Sequence, residues 1–318
     1  RVLFRSRAAG DFHNDGFHDF TVLRDNANAI VFGRASFSSA IDTTALGSDD
    51  GVFLTGADPT SLSGVGDLNG DGYADIAGGK DVAGVGNDLQ GFVIYGRGNT
   101  GVLQSVDVTA VSVEDGFYLD LNLIAAGPGG DVNGDGIGDF VVNALDLTTG
   151  SSISGAHNFV FFGSESLPSL LDPLNLNGGN GFRLTGIDGG IGRIASAGDF
   201  NNDGFDDILA GDNSEGFGGA GEAYVIYGSD ADFPVDLNVD SLSSLNGGDG
   251  STGFTIRSSD NGSFFGAALD AAGDVNGDGF DDLLVGAPRG SNFDGDVYLI
   301  LGSDVRPSTD VTTAALNL

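Results

Sequence analysis

Carboxylates spaced at every second residue around a glycine turn are the chemistry this sequence carries most plainly. In Asp274-Val-Asn-Gly-Asp-Gly-Phe-Asp-Asp282, the residues Asp274, Asn276, Asp278 and Asp282 stand at positions 1, 3, 5 and 9, with Gly279 at position 6. Alternating oxygen donors can converge on a hard cation such as calcium, and glycine permits the sharp turn between them. An apolar run, Leu283–Val285, follows at once and reads as a buried strand. The unit recurs as Asp11, His13, Asp15, Gly16, Asp19; as Asp67, Asn69, Asp71, Gly72, Asp75; as Asp131, Asn133, Asp135, Gly136, Asp139; and as Asp199, Asn201, Asp203, Gly204, Asp207. Position 7 offers a backbone carbonyl from Phe17, Tyr73, Ile137, Phe205 and Phe280. Three carboxylates, an amide oxygen and a carbonyl, completed by water, suit a calcium shell of about six to eight oxygens.

Position 12 separates these loops from an EF-hand, which closes with a bidentate Glu there. The residues at that position are Val22, Gly78, Val142, Ala210 and Val285, none of them acidic. Asp at position 9 is the expected closing ligand. Magnesium fits less well, because it keeps several waters and few protein ligands. A plain Asn-Gly hairpin turn accounts for Asn69-Gly70, Asn133-Gly134 and Asn276-Gly277, but leaves Asp at positions 1 and 9 of every copy unexplained. The first copy carries His13 where the others carry Asn, and imidazole is a poor ligand for a hard cation. The sequence therefore predicts about five calcium sites, the first being the weakest. Filling all five would move the formal charge from −34 to −24.

The elements that position these loops follow from the repeat. Loop starts are spaced by 56, 64, 68 and 75 residues. Each is followed by an apolar strand ending in glycine: Ala29–Gly33, Phe92–Gly96, Phe159–Gly163, Tyr224–Gly228 and Val297–Gly302. Between repeats stand Gly51–Gly56, Gly116–Asp120, Gly181–Gly186 and Gly253–Arg257, in which apolar and polar residues largely alternate. That period of two marks a half-buried strand. No stretch sustains a helical period. The expected fold is all-β, a β-propeller of four-stranded antiparallel blades with five repeats visible. The fourth strand of each blade is expected in the variable stretches, such as Leu103–Val113 or Val235–Leu245.

Composition agrees. Of the 46 acidic residues all but Glu114, Glu165, Glu215 and Glu222 are Asp, and there are 56 Gly, a balance suited to turns and metal loops. A net charge of −34, with Lys80 the sole lysine, argues against nucleic acid and anionic membrane surfaces as partners. No apolar stretch has the length of a membrane span, so no membrane insertion is expected. Cysteine is absent, which excludes disulfides and thiol chemistry. Residues 1–6 (Arg-Val-Leu-Phe-Arg-Ser) read as adapter-like, non-native sequence. The resemblance of Val311–Leu318 to Ile41–Leu46 suggests that the chain is cut from a longer array.

At Phe265-Gly266 followed by Gly286-Ala287-Pro288 the sequence resembles an FG-GAP repeat, the unit of the propeller of integrin α chains and of related bacterial proteins. The resemblance covers Ala8–Ser303, so that residues 7–318 read as one FG-GAP propeller, with loops at 11–19, 67–75, 131–139, 199–207 and 274–282. It implies a seven-bladed ring of which five repeats are an arc. It also implies calcium loops at one rim, an extracellular or cell-surface location, and a protein or glycan partner at a loop face. The Phe-Gly element drifts to Ile191-Gly192 in the fourth copy, and Gly-Ala-Pro drifts in the first four. An adhesion or binding module is the implied function; a non-catalytic domain of a larger secreted enzyme, such as a phospholipase or polysaccharide-degrading enzyme, is the alternative.

Other chemistry is thinly supported. Gly216–Gly221 fits G-x-G-x-x-G, but a strand follows it where a dinucleotide site needs a helix. His13, His18 and His157 lack a nucleophile motif, and neither G-x-S-x-G nor H-E-x-x-H occurs. Asp49-Asp50 reads as a solvated turn, Asn261-Gly262-Ser263 fits a glycosylation sequon, and the 23 Phe read as core. The chain is not expected to be an enzyme.

Overall fold

A computed structural model describes residues 5–24, 28–37, 40–56, 59–81, 89–98, 104–145, 156–187, 193–213, 220–290, 294–307 and 310–314. Most of the Gly216–Gly221 motif, Ile191-Gly192 and Arg1–Phe4 lie outside these residues; Arg5 and Ser6 begin a strand. The described residues form mainly strands, with short 3-10 turns between them.

The chain divides into two compact units. One comprises residues 1–128, 137–154 and 163–175; the other comprises 129–136, 155–162 and 176–318. In the first unit, Arg5–Gly10, Asp19–Leu23, Asn28–Val31 and Gly51–Thr55 form an antiparallel sheet, each strand paired to the next. Pro59–Gly66, Asp75–Asp81, Leu89–Ile94 and the start of Gly116–Gly130 repeat the arrangement. In the second unit, Arg193–Gly198, Asp207–Asp212, Glu222–Ile226 and Gly253–Arg257 form the same sheet again. Ala268–Gly273, Asp282–Ala287 and Asp296–Ile300 form its first three strands.

The apolar strands after each loop thus lie where the periodicity predicts. The fourth antiparallel strand does not. It immediately precedes each loop, as in Arg5–Gly10 and Arg193–Gly198, instead of lying in the variable stretches. Those stretches do hold strands, Gln104–Asp107 and Asp236–Asn238, but each adds in parallel to the alternating strand of the sheet before it. Leu170–Leu171 and Val311–Thr312 add in the same way.

The cores follow from alternate burial. Ala9, Phe12, Ile30, Leu62, Ile76 and Phe92 are among the buried residues of one cluster in the first unit. Phe200, Leu209, Val225, Phe254, Phe265 and Leu283 belong to another in the second. Fully burying such side chains is worth about 1.5–3 kcal/mol each, which anchors the strand ends from which the loops project.

Candidate metal centre

Each loop turns on two left-handed residues. Gly16, Gly72, Gly136, Gly204 and Gly279 at position 6 have φ between 87° and 93°. Position 4 is left-handed as well: Gly70, Gly134 and Gly277 in three copies, Asn14 and Asn202 in the others, at φ 54° and 53°. Asn tolerates this region better than other side chains, so the Asn-for-Gly exchange keeps the path. The sequence shows position 4 only as part of an Asn-Gly turn.

The path closes on the carboxylate at position 1. Asp67 Oδ1 accepts from the Asp71 amide at 3.1 Å and its Oδ2 from the Gly72 amide at 2.8 Å. The same pair of bonds recurs on Asp11, Asp131, Asp199 and Asp274. The Gly279 amide, with those of Gly277 and Asp278, holds the exposed Asp274 carboxyl below the usual carboxylate range. At position 3, Asn69, Asn133 and Asn276 donate from Nδ2 to the carboxylate at position 5, over 2.9–3.0 Å. In the second, third and fifth loops the side chains at positions 1, 3 and 5 are therefore gathered on one turn.

Position 9 is different in kind. Asp19, Asp75, Asp139, Asp207 and Asp282 are buried. One oxygen accepts from the glycine amide that ends the next apolar strand: Gly33, Gly96, Gly163, Gly228 and Gly302, at 2.6–2.9 Å. The other oxygen accepts from the amide at position 2, as it does from Phe12, Leu68, Phe200 and Val275. Asp at position 9 therefore clamps the loop to its sheet, a role its spacing alone did not reveal. An oxygen that accepts one hydrogen bond keeps a second lone pair for a cation. Burial pushes Asp75 up to about 8, with Asp71 and Asp67 adding to the shift, and burial with the charges of Asp203 and Asp199 does the same to Asp207. A carboxyl in this setting is neutralised either by its own proton or by a cation.

Successive loops are hooked together. The amide at position 8 donates to the position-1 carbonyl of the preceding loop: Ala74 to Asp11, Gly138 to Asp67, Asp206 to Asp131 and Asp281 to Asp199, at 3.0–3.3 Å. The strand-ending glycines are forced by this closeness. A Cβ on Gly96 would lie 2.5 Å from the Ala74 carbonyl oxygen, and one on Gly228 2.4 Å from that of Asp206. Asp206 and Asp281, unremarked in the sequence, also accept the amides of Asp131 and Asp199 on their side chains.

Two copies depart from the pattern. In the first, His13 donates or accepts at Nδ1 with Asp19 over 2.9 Å and at Nε2 with Asp15 over 3.0 Å, while its ring stacks on Phe32. In the fourth, Arg306 takes Asp203 at 2.9 Å, and the buried Asn201 amide has no hydrogen-bond partner. An orphaned side-chain oxygen at position 3 is the condition a calcium ligand would relieve. A cavity of about 370 Å³ lies beside this loop, lined by Phe205, Tyr227, Phe233 and Arg306 among others.

The Phe-Gly and Gly-Ala-Pro elements meet in the second unit. Phe265 is buried in the core, and the Gly266 amide donates to the Gly286 carbonyl at 3.1 Å. A Cβ on Gly266 would lie 2.4 Å from the Glu222 carbonyl oxygen. The motif is a packing device and leaves the loop ligands untouched.

Comparison with known proteins agrees. A profile of the FG-GAP repeat matches residues 191–226 and 265–300. The chain is 31% identical over 236 residues to integrin alpha pat-2 of Caenorhabditis elegans, which covers 71% of this chain and 18% of that protein. It is 29% identical over 231 residues to integrin alpha-PS2 of Drosophila melanogaster, covering 66% of this chain and 14% of that one. The chain spans less than a fifth of the length of these curated relatives.

Proposed function

Because the chain carries FG-GAP repeats and is similar to integrin α chains, we propose that it is a calcium-stabilised β-propeller segment serving adhesion or protein binding outside the cell. The single observation that carries this reading is the repeated loop: five turns with one backbone path, each placing acidic donors beside a buried carboxylate. Asp67, Asn69, Asp71, Asp75 and the Tyr73 carbonyl would hold the ion in the second loop, with equivalent residues in the third, fourth and fifth. The bound ion supplies positive charge, which relieves the burial of the position-9 carboxylate and stiffens the loop. The chain's own residues do the rest: glycine or asparagine at position 4 and glycine at position 6 set the turn, and position 9 ties it to the sheet.

Oxygen-only loops without a bidentate Glu suit the millimolar calcium of extracellular modules. A protein or glycan partner at a loop face, and a location outside the cell or on its surface, belong to the same reading. Among the described residues no helix is long and apolar enough to cross a membrane. No catalytic role is assigned to any residue. The test is a calorimetric calcium titration of the purified chain, with thermal melts in calcium and in chelator. Saturable binding to several sites and a raised melting temperature are expected. A melting temperature that chelation leaves unchanged overturns the reading.

A further inference from the structure

The residue at position 8 does different work in the two units. In every neighbouring pair of loops its amide donates to the position-1 carbonyl of the loop before. In the first unit that residue is Ala74 or Gly138, whose side chain offers no acceptor. In the second it is Asp206 or Asp281, and the side chain adds a bond in the opposite sense. The Asp131 amide donates to Asp206 Oδ2 at 2.7 Å, and the Asp199 amide to Asp281 Oδ2 at 3.0 Å. The position-1 residue is thus gripped by both of its main-chain groups. The glycine before it makes room for the carboxylate. A Cβ on Gly130 would lie 2.3 Å from Asp206 Oδ2, and one on Gly198 2.1 Å from Asp281 Oδ2. On Gly66, which precedes the loop that Gly138 hooks, a Cβ would meet nothing within 4 Å.

Position 8 also stands between two donors of its own loop. Asp281 is flanked by Phe280, which offers its carbonyl, and by the buried Asp282, which accepts the Gly302 and Val275 amides. An ion in the fifth loop draws on both neighbours and so fixes Asp281. Asp281 in turn holds Asp199, whose carboxylate accepts the Asp203 and Gly204 amides and is the first donor of the fourth loop. We propose that Asp281, and Asp206 in the same way, are positioning residues that couple ion binding in successive loops of the second unit: filling one loop orders the first ligand of the loop before it. Order established by the first ion need not be established again by the second, which tightens its binding. Filling one loop also lessens the negative field at the next, but salt screens that effect between exposed loops. Hydrogen-bonded order is not screened in this way, so the coupling is positive at physiological salt. It presupposes the calcium reading above, and the second loop, gripped by Gly138 through one backbone bond, keeps the two separable in experiment.

Hydrogen exchange of the intact chain is followed against calcium concentration at about 0.15 M salt. The Asp203 and Gly204 amides report the fourth loop, and the Asp71 and Gly72 amides report the second. Asp278→Ala removes a ligand of the fifth loop. It should raise the calcium midpoint of the fourth loop at least about fivefold and leave that of the second unchanged. In an Asp281→Ala chain the same change should move the fourth-loop midpoint less than about twofold, although Asp281→Ala alone weakens that loop. Asp281→Asn, which keeps an accepting oxygen and drops the charge, should retain the full shift. Reciprocity gives a second route should Asp278→Ala fail to fold: Asp203→Ala must weaken the fifth loop, reported by the Asp278 and Gly279 amides, by the same factor. If Asp281 merely supports the fourth loop, its removal weakens that loop but leaves the response to Asp278→Ala intact, and the proposal is overturned. A fourth loop indifferent to the fifth, beside a second loop that responds to calcium, overturns the coupling alone. A second loop that does not respond overturns the calcium reading and the coupling with it.

Discussion

The first and second loops, both in the first unit, follow one backbone path and treat their buried carboxylate differently. In the second, Asp75 accepts the Leu68 and Gly96 amides, and burial lifts it to about 8. Its neighbours Asp67 and Asp71 add negative charge. In the first, Asp19 accepts the Phe12 and Gly33 amides and is raised by burial too, but the Gly33 bond and His13 pull the other way. His13 also reaches Asp15, so one ring spans the two carboxylates a cation would otherwise bridge. Phe32 holds that ring flat at 4.1 Å between centroids. The difference teaches that loop path and side-chain contacts are separable. Glycine or asparagine at position 4 and glycine at position 6 set the path; under the proposed calcium reading, the residue at position 3 decides whether the carboxylates meet a ring nitrogen of the chain or an ion from solution.

The largest expected effect tests what the two loops share. Asp75→Ala leaves the Leu68 and Gly96 amides without their acceptor, as Asp19→Ala leaves those of Phe12 and Gly33. Two orphaned buried donors cost roughly 2–5 kcal/mol. Urea unfolding in chelator should show that loss for both variants. Repeating it in calcium should widen the gap to wild type for Asp75→Ala only. Equal widening for Asp19→Ala would break the distinction between the loops.

A smaller effect tests what separates them. His13→Asn gives the first loop the position-3 residue of the other four. Calorimetry should then count one more calcium per chain, or show one site tightened about tenfold, near 1.4 kcal/mol. Asn69→His should do the reverse in the second loop. A wild-type first loop that already binds as tightly as the second contradicts the assignment of His13 as an internal substitute.

These residues differ in how far the sequence exposed them. The gathering of the side chains at positions 1, 3 and 5 was legible because alternate residues around a glycine turn converge whatever surrounds them. The apolar strands were legible because burial on a sheet has a period of two. The strands before the loops were not. They read Arg-Ser-Arg-Ala-Ala-Gly, Arg-Ile-Ala-Ser-Ala-Gly and Ala-Leu-Asp-Ala-Ala-Gly, and each ends in a run of Ala, Ser and Gly, most of which have weak strand preference. Crowding selects them: a Cβ on Gly10 would lie 2.5 Å from the Ala74 Cβ, and one on Gly64 2.9 Å from the Ala9 carbonyl carbon. Position 9 was legible as an acid and illegible as a clamp, since its amide partners come from the far end of the next strand.

The smallest expected effect returns to the path both loops share. Position 4 is Asn14 in the first loop and Gly70 in the second, at φ 54° and 72°. A left-handed residue costs an ordinary side chain roughly 1–2 kcal/mol, and asparagine less. A Cβ on Gly70 would meet Ile137 at 3.4 Å, which is ordinary contact. Gly70→Asn should therefore lose less than about 1 kcal/mol in urea unfolding, and Asn14→Gly should shift stability by a similar small amount. Gly70→Val, branched at Cβ, should cost more than either. Calcium stoichiometry should stay constant through all three, because the ligands at positions 1, 3, 5 and 9 are untouched. A position-4 change that altered the ion count would tie path to ion requirement and undo the separation drawn between the two loops.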